Sequence, residues 1–111
     1  MLKPVKIKFF NDKVEKEYAE LSEDDPIKKR INWIIGRIKQ SPSFGKPIAK
    51  RLIPPEYMRE GITNAFWVEL GAGKGGRLIY SLTSENKIEI VAIIIEWFTR
   101  HKDYERRFGY G

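Results

Sequence analysis

The sequence predicts an α+β domain. An N-terminal strand and an antiparallel two-helix hairpin would pack on a mainly antiparallel sheet of about four strands, with a short basic segment at the C-terminal end. Three observations predict it. Residues 4–10 alternate apolar and basic side chains, the two-residue period of a half-buried strand. Two apolar stripes at helical spacing follow, and the last third carries three apolar runs divided by turn residues. The length of 111 residues fits one domain spanning 1–111, large enough to bury a core.

Each element has a local cause. Asn11 can cap a helix through its side-chain oxygen, and Val14, Tyr18 and Leu21 then place one apolar stripe over about residues 12–22. Asp24 and Asp25 are capping candidates for a second helix. Pro26 suits its first position, where a missing N–H costs nothing. Ile27, Ile31, Ile34, Ile35 and Ile38 form its buried stripe, with Lys28, Lys29, Arg30, Arg37 and Lys39 on other faces, and Ser41-Pro42 ends it. Residues 41–64 hold four prolines and read as an irregular connection, with a short turn of helix or strand near Ala49–Ile53. Strands are expected over about 65–70, 77–83 and 87–97, with Ser84-Glu85-Asn86-Lys87 as a tight hairpin turn. Ile93-Ile94-Ile95 is apolar on both faces and predicts a central strand. Residues 101–108 predict a short helix.

Composition narrows the chemistry. With no cysteine, a disulfide framework, thiol catalysis and thiolate metal sites are excluded, and a single histidine disfavours an all-protein zinc site. The N-terminus lacks the apolar core of a signal peptide, and the longest apolar run is too short to span a bilayer, so a cytoplasmic protein without a membrane partner is expected. The net charge of +6, from 21 Lys and Arg against 15 Asp and Glu, favours an anionic partner.

Gly71-Ala72-Gly73-Lys74-Gly75-Gly76 formally satisfies G-x-G-x-x-G. The dinucleotide fingerprint needs a helix after the glycines, whereas Arg77-Leu78-Ile79-Tyr80 alternates like a strand. The segment is therefore a hairpin loop, with Lys74 at its tip able to touch a phosphate. Arg77 opens a strand beside glycines, which suits a phosphate clamp approached closely by ligand, or an ordinary ion pair. His101, the only histidine, lies in the basic run Arg100 to Arg107, and Tyr104 shares its helical face. That pair suits an acid and a base, or a cap on the sheet. Lys50-Arg51 reads as a solvated dipeptide or as a basic arm on nucleic acid. Trp33, Trp67 and Trp97 lie in apolar elements and are assigned to the core. Tyr57, Phe108 and Tyr110, in polar surroundings, are assigned as base-stacking candidates.

The order of elements, with Lys50-Arg51-Leu52, Gly76-Arg77-Leu78-Ile79-Tyr80 and His101-Lys102-Asp103-Tyr104, resembles the RelE/ParE superfamily of toxins from toxin–antitoxin pairs. The resemblance covers most of the chain. It implies a RelE-like fold and metal-independent endoribonuclease activity on mRNA, commonly on the ribosome, by attack of the 2′-hydroxyl on the adjacent phosphate. It implies catalytic roles for Arg77, His101 and Tyr104, with substrate bound by Lys50, Arg51, Lys74, Arg100 and Lys102. It implies no cofactor, and a cognate antitoxin as protein partner, hence a heteromeric assembly. The ParE branch supplies the alternative, a non-catalytic inhibitor of DNA gyrase; a basic RNA- or ribosome-binding module is a further one.

Overall fold

In the computed structural model, which describes residues 4–71, 75–84 and 89–109, the chain begins with β1 (Val5–Phe9), α1 (Asp12–Glu20) and α2 (Pro26–Gln40). A two-residue β2 (Lys46–Pro47), a 3-10 turn (Lys50–Leu52) and α3 (Pro55–Arg59) fill the middle. Strands β3 (Phe66–Gly71), β4 (Gly75–Thr83) and β5 (Ile90–Arg100) follow, and β5 runs directly into α4 (His101–Phe108). The expected hairpin turn at residues 84–87, Lys74 and Tyr110 lie wholly or largely outside the described residues.

The fold is α+β, and its sheet corrects the sequence expectation in two ways. Five strands are ordered β1-β5-β4-β3-β2, because Lys46–Pro47 adds a short edge strand against Phe66 and Trp67. Proline offers no donor for a longer ladder, which keeps that edge short. The sheet is also mixed: β1 runs parallel to β5, while the other three pairings are antiparallel. The central placement expected for the Ile93-Ile94-Ile95 run holds, since β5 lies between β1 and β4.

Helix starts follow the side chains. The Asn11 oxygen accepts from the Val14 N–H at 2.9 Å, and the Asp25 carboxylate accepts from the Ile27 N–H at 2.8 Å. Along α2, Ile31, Ile34 and Ile38 are wholly buried against the sheet, in one cluster with Leu78, Tyr80 and Ile94. Lys28 departs from its expected solvent face. Its ammonium lies 2.6 Å from Glu23 Oε1 and donates to the Leu21 carbonyl at 3.2 Å, which ties the α1–α2 connection.

The opposite sheet face carries a second cluster. Ile79 and Ile95 pack there with Ile53 and Tyr57 from the irregular segment and with Tyr104 and Phe108 from α4. A bulge in β5 connects the two faces. Ile79 pairs with Glu96 but Tyr80 pairs with Ile94, so Ile95 is the extra residue. Ile94 faces the first cluster and Ile95 the second, as in ordinary alternation, and the bulge keeps Glu96 on the second face, turned toward α3 and α4. The Tyr80 hydroxyl donates to the Pro42 carbonyl at 2.7 Å and accepts from the Gly45 N–H at 2.8 Å, which anchors the segment leading into β2. Among the described residues no helix is long and apolar enough to cross a membrane.

Candidate functional site

Arg77 faces the second cluster near the start of β4, opposite Glu69 on β3 and Phe98 on β5. Its guanidinium carbon lies 3.7 Å from the centroid of the Trp67 ring and 4.4 Å from that of Tyr104. Each such contact contributes about 0.5–2 kcal/mol, and together they fix the cation's position. Among the described residues the Arg77 guanidinium forms no ion pair and no hydrogen bond, so no carboxylate takes up its five N–H donors. A planar fork held by rings, with donors left over, suits a phosphate.

His101 borders the same tyrosine. Its ring stacks on Tyr104 with centroids 5.8 Å apart. Arg77 and His101 are thus separated by at most about 10 Å, the sum of their distances of 4.4 and 5.8 Å to that ring. The Nε2 atom of His101 sits 3.0 Å from Glu105 Oε1, one helical turn on, and both side chains are half-exposed. A carboxylate at that distance favours the proton on Nε2 and leaves Nδ1 as the basic nitrogen.

The glycines beside Arg77 serve a purpose other than ligand approach. A Cβ on Gly75 would fall 2.5 Å from the His101 Cβ, and one on Gly76 would fall 2.5 Å from the Phe98 carbonyl oxygen. Gly75 also has φ of +69°. The space expected for a bulky ligand is filled by the chain's own β5–α4 junction, and that close approach carries His101 to Arg77.

Tyr104 is wholly buried, in contact with Phe98 and Phe108 as well as Arg77 and His101. Its ring is a platform for the two polar groups and offers no open face to a base. Arg100 is turned to its own helix, with Nε 3.1 Å from Asp103 Oδ2. Lys102, Lys50 and Arg51 are exposed. The 3-10 turn bearing Lys50 and Arg51 lies over the same sheet face, since Ile48, Leu52 and Ile53 pack there. No hydrogen bond or ring contact joins these three residues to Arg77, His101 or Tyr104 among the described residues. Two groups escaped the sequence analysis. Glu105 was legible as an i, i+4 neighbour of His101. Lys46, whose ammonium lies 5.1 Å from the Trp67 centroid, carried no local signal.

A second cation–aromatic assembly lies further along the same helix. Arg107 Nε sits 3.0 Å from Glu96 Oε2 and Nη1 sits 3.2 Å from Glu56 Oε2, and its guanidinium lies over the Tyr57 ring at 5.4 Å. The Tyr57 hydroxyl donates to the Glu96 carboxylate. Burial first, and then the adjacent Glu96 charge, push the Tyr57 phenol far above its ordinary value. For Arg107, burial is the largest single influence and works against the charge, but the hydrogen bond and charge of Glu96, with Tyr57 added, together outweigh it and its pKa is raised.

Three aromatic assignments are thereby corrected. Tyr57 is 2% and Phe108 4% exposed, so neither can stack on a base. Trp33 is 47% exposed rather than in the core. Trp67 and Trp97 are partly buried against the two clusters. Among the described residues no cluster of histidine and acidic side chains could hold a metal ion. No protein-family model, curated protein or solved structure matches the chain.

Proposed function

We propose that this chain is a RelE-like toxin, a metal-independent endoribonuclease that cleaves mRNA. The observation that carries the proposal is the placement of a ring-held guanidinium, free of carboxylates, and a half-exposed imidazole around one buried tyrosine. In this chemistry His101 Nδ1 accepts the proton of the 2′-hydroxyl. The 2′-oxygen then forms a bond to phosphorus and the bond to the 5′-oxygen breaks, leaving a 2′,3′-cyclic phosphate; the departing 5′-oxygen takes a proton from water. Arg77 donates to the non-bridging oxygens, where charge accumulates, and pre-placed donors of this kind are worth about 3–4 kcal/mol. General-base catalysis by His101 adds roughly 10²–10⁴ in rate. Tyr104 positions both groups. Lys50, Arg51, Lys74 and Lys102 would bind the phosphate backbone, and Arg100 would do so after release from Asp103. The net charge of +6 suits an acidic antitoxin as the neutralising partner.

Primer extension on mRNA translated in an extract tests the proposal. Discrete new 5′ ends should appear with the parent protein and fall by ~10² or more with Arg77→Ala and with His101→Ala. Equal cutting by both variants would remove these residues from the chemistry. A second reading, a non-catalytic ParE-like gyrase inhibitor or RNA-binding module, is favoured by the burial of Tyr104, which leaves one proton-exchanging group at the site instead of two. It predicts salt-sensitive binding without new RNA ends.

A further inference from the structure

Around the β2–β3 edge of the sheet from Arg77, Trp33 stands on α2 as one of two large apolar side chains left exposed among the described residues. Arg30 lies over its ring at 4.2 Å and is anchored by two N–H donors to the Glu69 carbonyl, at 3.1 and 3.0 Å. Arg37 lies over the rings of Trp33 and Phe44 at 5.9 and 5.2 Å, and Phe44 meets Trp33 edge-on. A groove of about 280 Å³ runs from Arg30 and Phe44 past Gly45 to Lys46 and Trp67. Trp67 is also the ring on which Arg77 rests. Trp33, Arg37 and Phe44 thus form one cation–ring group at one end of the groove, and Lys46, Trp67 and Arg77 a second at the other.

We propose that this groove is an RNA-binding subsite. A base of a single strand stacks on Trp33, and Arg37 and Lys46 hold phosphates of the nucleotides that lead to Arg77. The inference rests on the proposed action on RNA and names the part of the substrate that lies outside the scissile linkage. Single-stranded nucleic acid is favoured over an acidic peptide because the groove pairs positive charge with flat aromatic surface. Every base has a π-face to lay on a tryptophan, whereas aspartate and glutamate offer charge alone. Among the described residues Glu69 is the only acidic one lining the groove, and Arg30 is already held by its carbonyl.

The test uses a fluorescent 2′-O-methyl oligouridine of roughly ten nucleotides, within the usual span of single-strand sites. Its blocked 2′-oxygen prevents cleavage, so anisotropy reads binding alone. Trp33→Ala should weaken binding about tenfold, in the range of one lost base stack. Trp33→Tyr, which keeps a ring, should restore most of it. Arg37→Ala should weaken binding several-fold and reduce the slope of log affinity against log salt by about one. Equal affinity of parent, Trp33→Ala and Arg37→Ala for the long oligomer overturns the subsite, even if the parent cuts mRNA. It is likewise overturned if the parent ignores the oligomer but binds polyglutamate through Trp33. Loss of oligomer binding in Trp33→Ala, with no cutting of mRNA by the parent, supports the subsite while overturning the proposed nuclease.

Discussion

Arg77 and Arg107 occupy the same face of the sheet, and each lies over a tyrosine, yet their N–H donors are placed differently. Arg107 sits over Tyr57 and places its donors on two carboxylates, Glu96 and Glu56, which join β5, α3 and α4. Arg77 rests on Trp67 and Tyr104 and, with Glu69 opposite it on β3, forms no ion pair among the described residues. A structural arginine has its hydrogen bonds satisfied within the fold. An arginine held in place by rings alone is positioned without being neutralised, which is the condition a phosphate clamp requires. Proximity to an aromatic ring therefore says little about an arginine's role; the fate of its donors says more.

The largest expected effect tests that distinction directly. Arg77→Ala should lower mRNA cutting by ~10²–10³, far beyond the modest loss of stability that follows from removing its two ring contacts. Arg107→Ala should leave cutting within a few-fold of the parent and cost about 1–3 kcal/mol of stability, because the Glu96 carboxylate loses its cation in a part-buried site. Cleavage assays and urea melts on both variants decide it. If the Arg77 variant loses stability and keeps activity, the contrast collapses.

The next effect falls on both arginines at once, since both depend on the seating of α4. Gly76→Ala places a Cβ 2.5 Å from the Phe98 carbonyl oxygen and 2.9 Å from the Thr99 carbonyl carbon, which are backbone atoms with little freedom to yield. A loss of about 1–3 kcal/mol is expected, together with reduced cutting as His101 is displaced from Arg77. Gly36→Ala is the control. Its Cβ would meet nothing within 4 Å on α2, so it should add roughly 0.5–1 kcal/mol through helix propensity. Thermal melts of the two variants should move in opposite directions.

These contrasts also show how far the sequence could be read. The first two helices, the last three strands and the short C-terminal helix were legible because capping residues and apolar periods are local, whereas α3 (Pro55–Arg59) was hidden in the proline-rich segment read as irregular. The parallel β1–β5 pair was not, because it joins Val5 to Ile90 across most of the chain. The aromatic errors share one cause, the use of neighbouring residues in place of angular position. Trp33 sits in an apolar helix, but two residues beyond Ile31 it has turned about 200° away from the buried stripe. Phe108 sits among charges, but it follows Tyr104 by one turn and shares its buried face. Arg77 and His101 were readable as candidates. That Gly75 and Gly76 admit the β5–α4 junction rather than a ligand depends on tertiary approach, which no local pattern encodes.

The smallest effect sharpens the account of the structural arginine. Tyr57 donates to Glu96 beside Arg107, and its folded pKa lies above the ordinary value of 10.0. Tyr80 is raised as well, by burial that outweighs its hydrogen bond with Gly45. The folded state therefore keeps both phenols protonated at a pH where the unfolded chain releases them. The associated stability is complete below pH ~10 and falls as pH rises above it, by about 1.4 kcal/mol at pH 11 for Tyr57, with Tyr80 acting in the same direction. Tyr57→Phe removes one of the two contributions. It should be about 1 kcal/mol less stable than the parent at pH 8, where the lost hydrogen bond dominates. That gap should close by pH 11, where the parent bears the cost of holding a proton that phenylalanine never had. Urea melts at the two pH values measure this. A gap that stays constant would mean that the Tyr57 hydroxyl titrates alike in folded and unfolded chains, and that the network around Arg107 does not hold its proton.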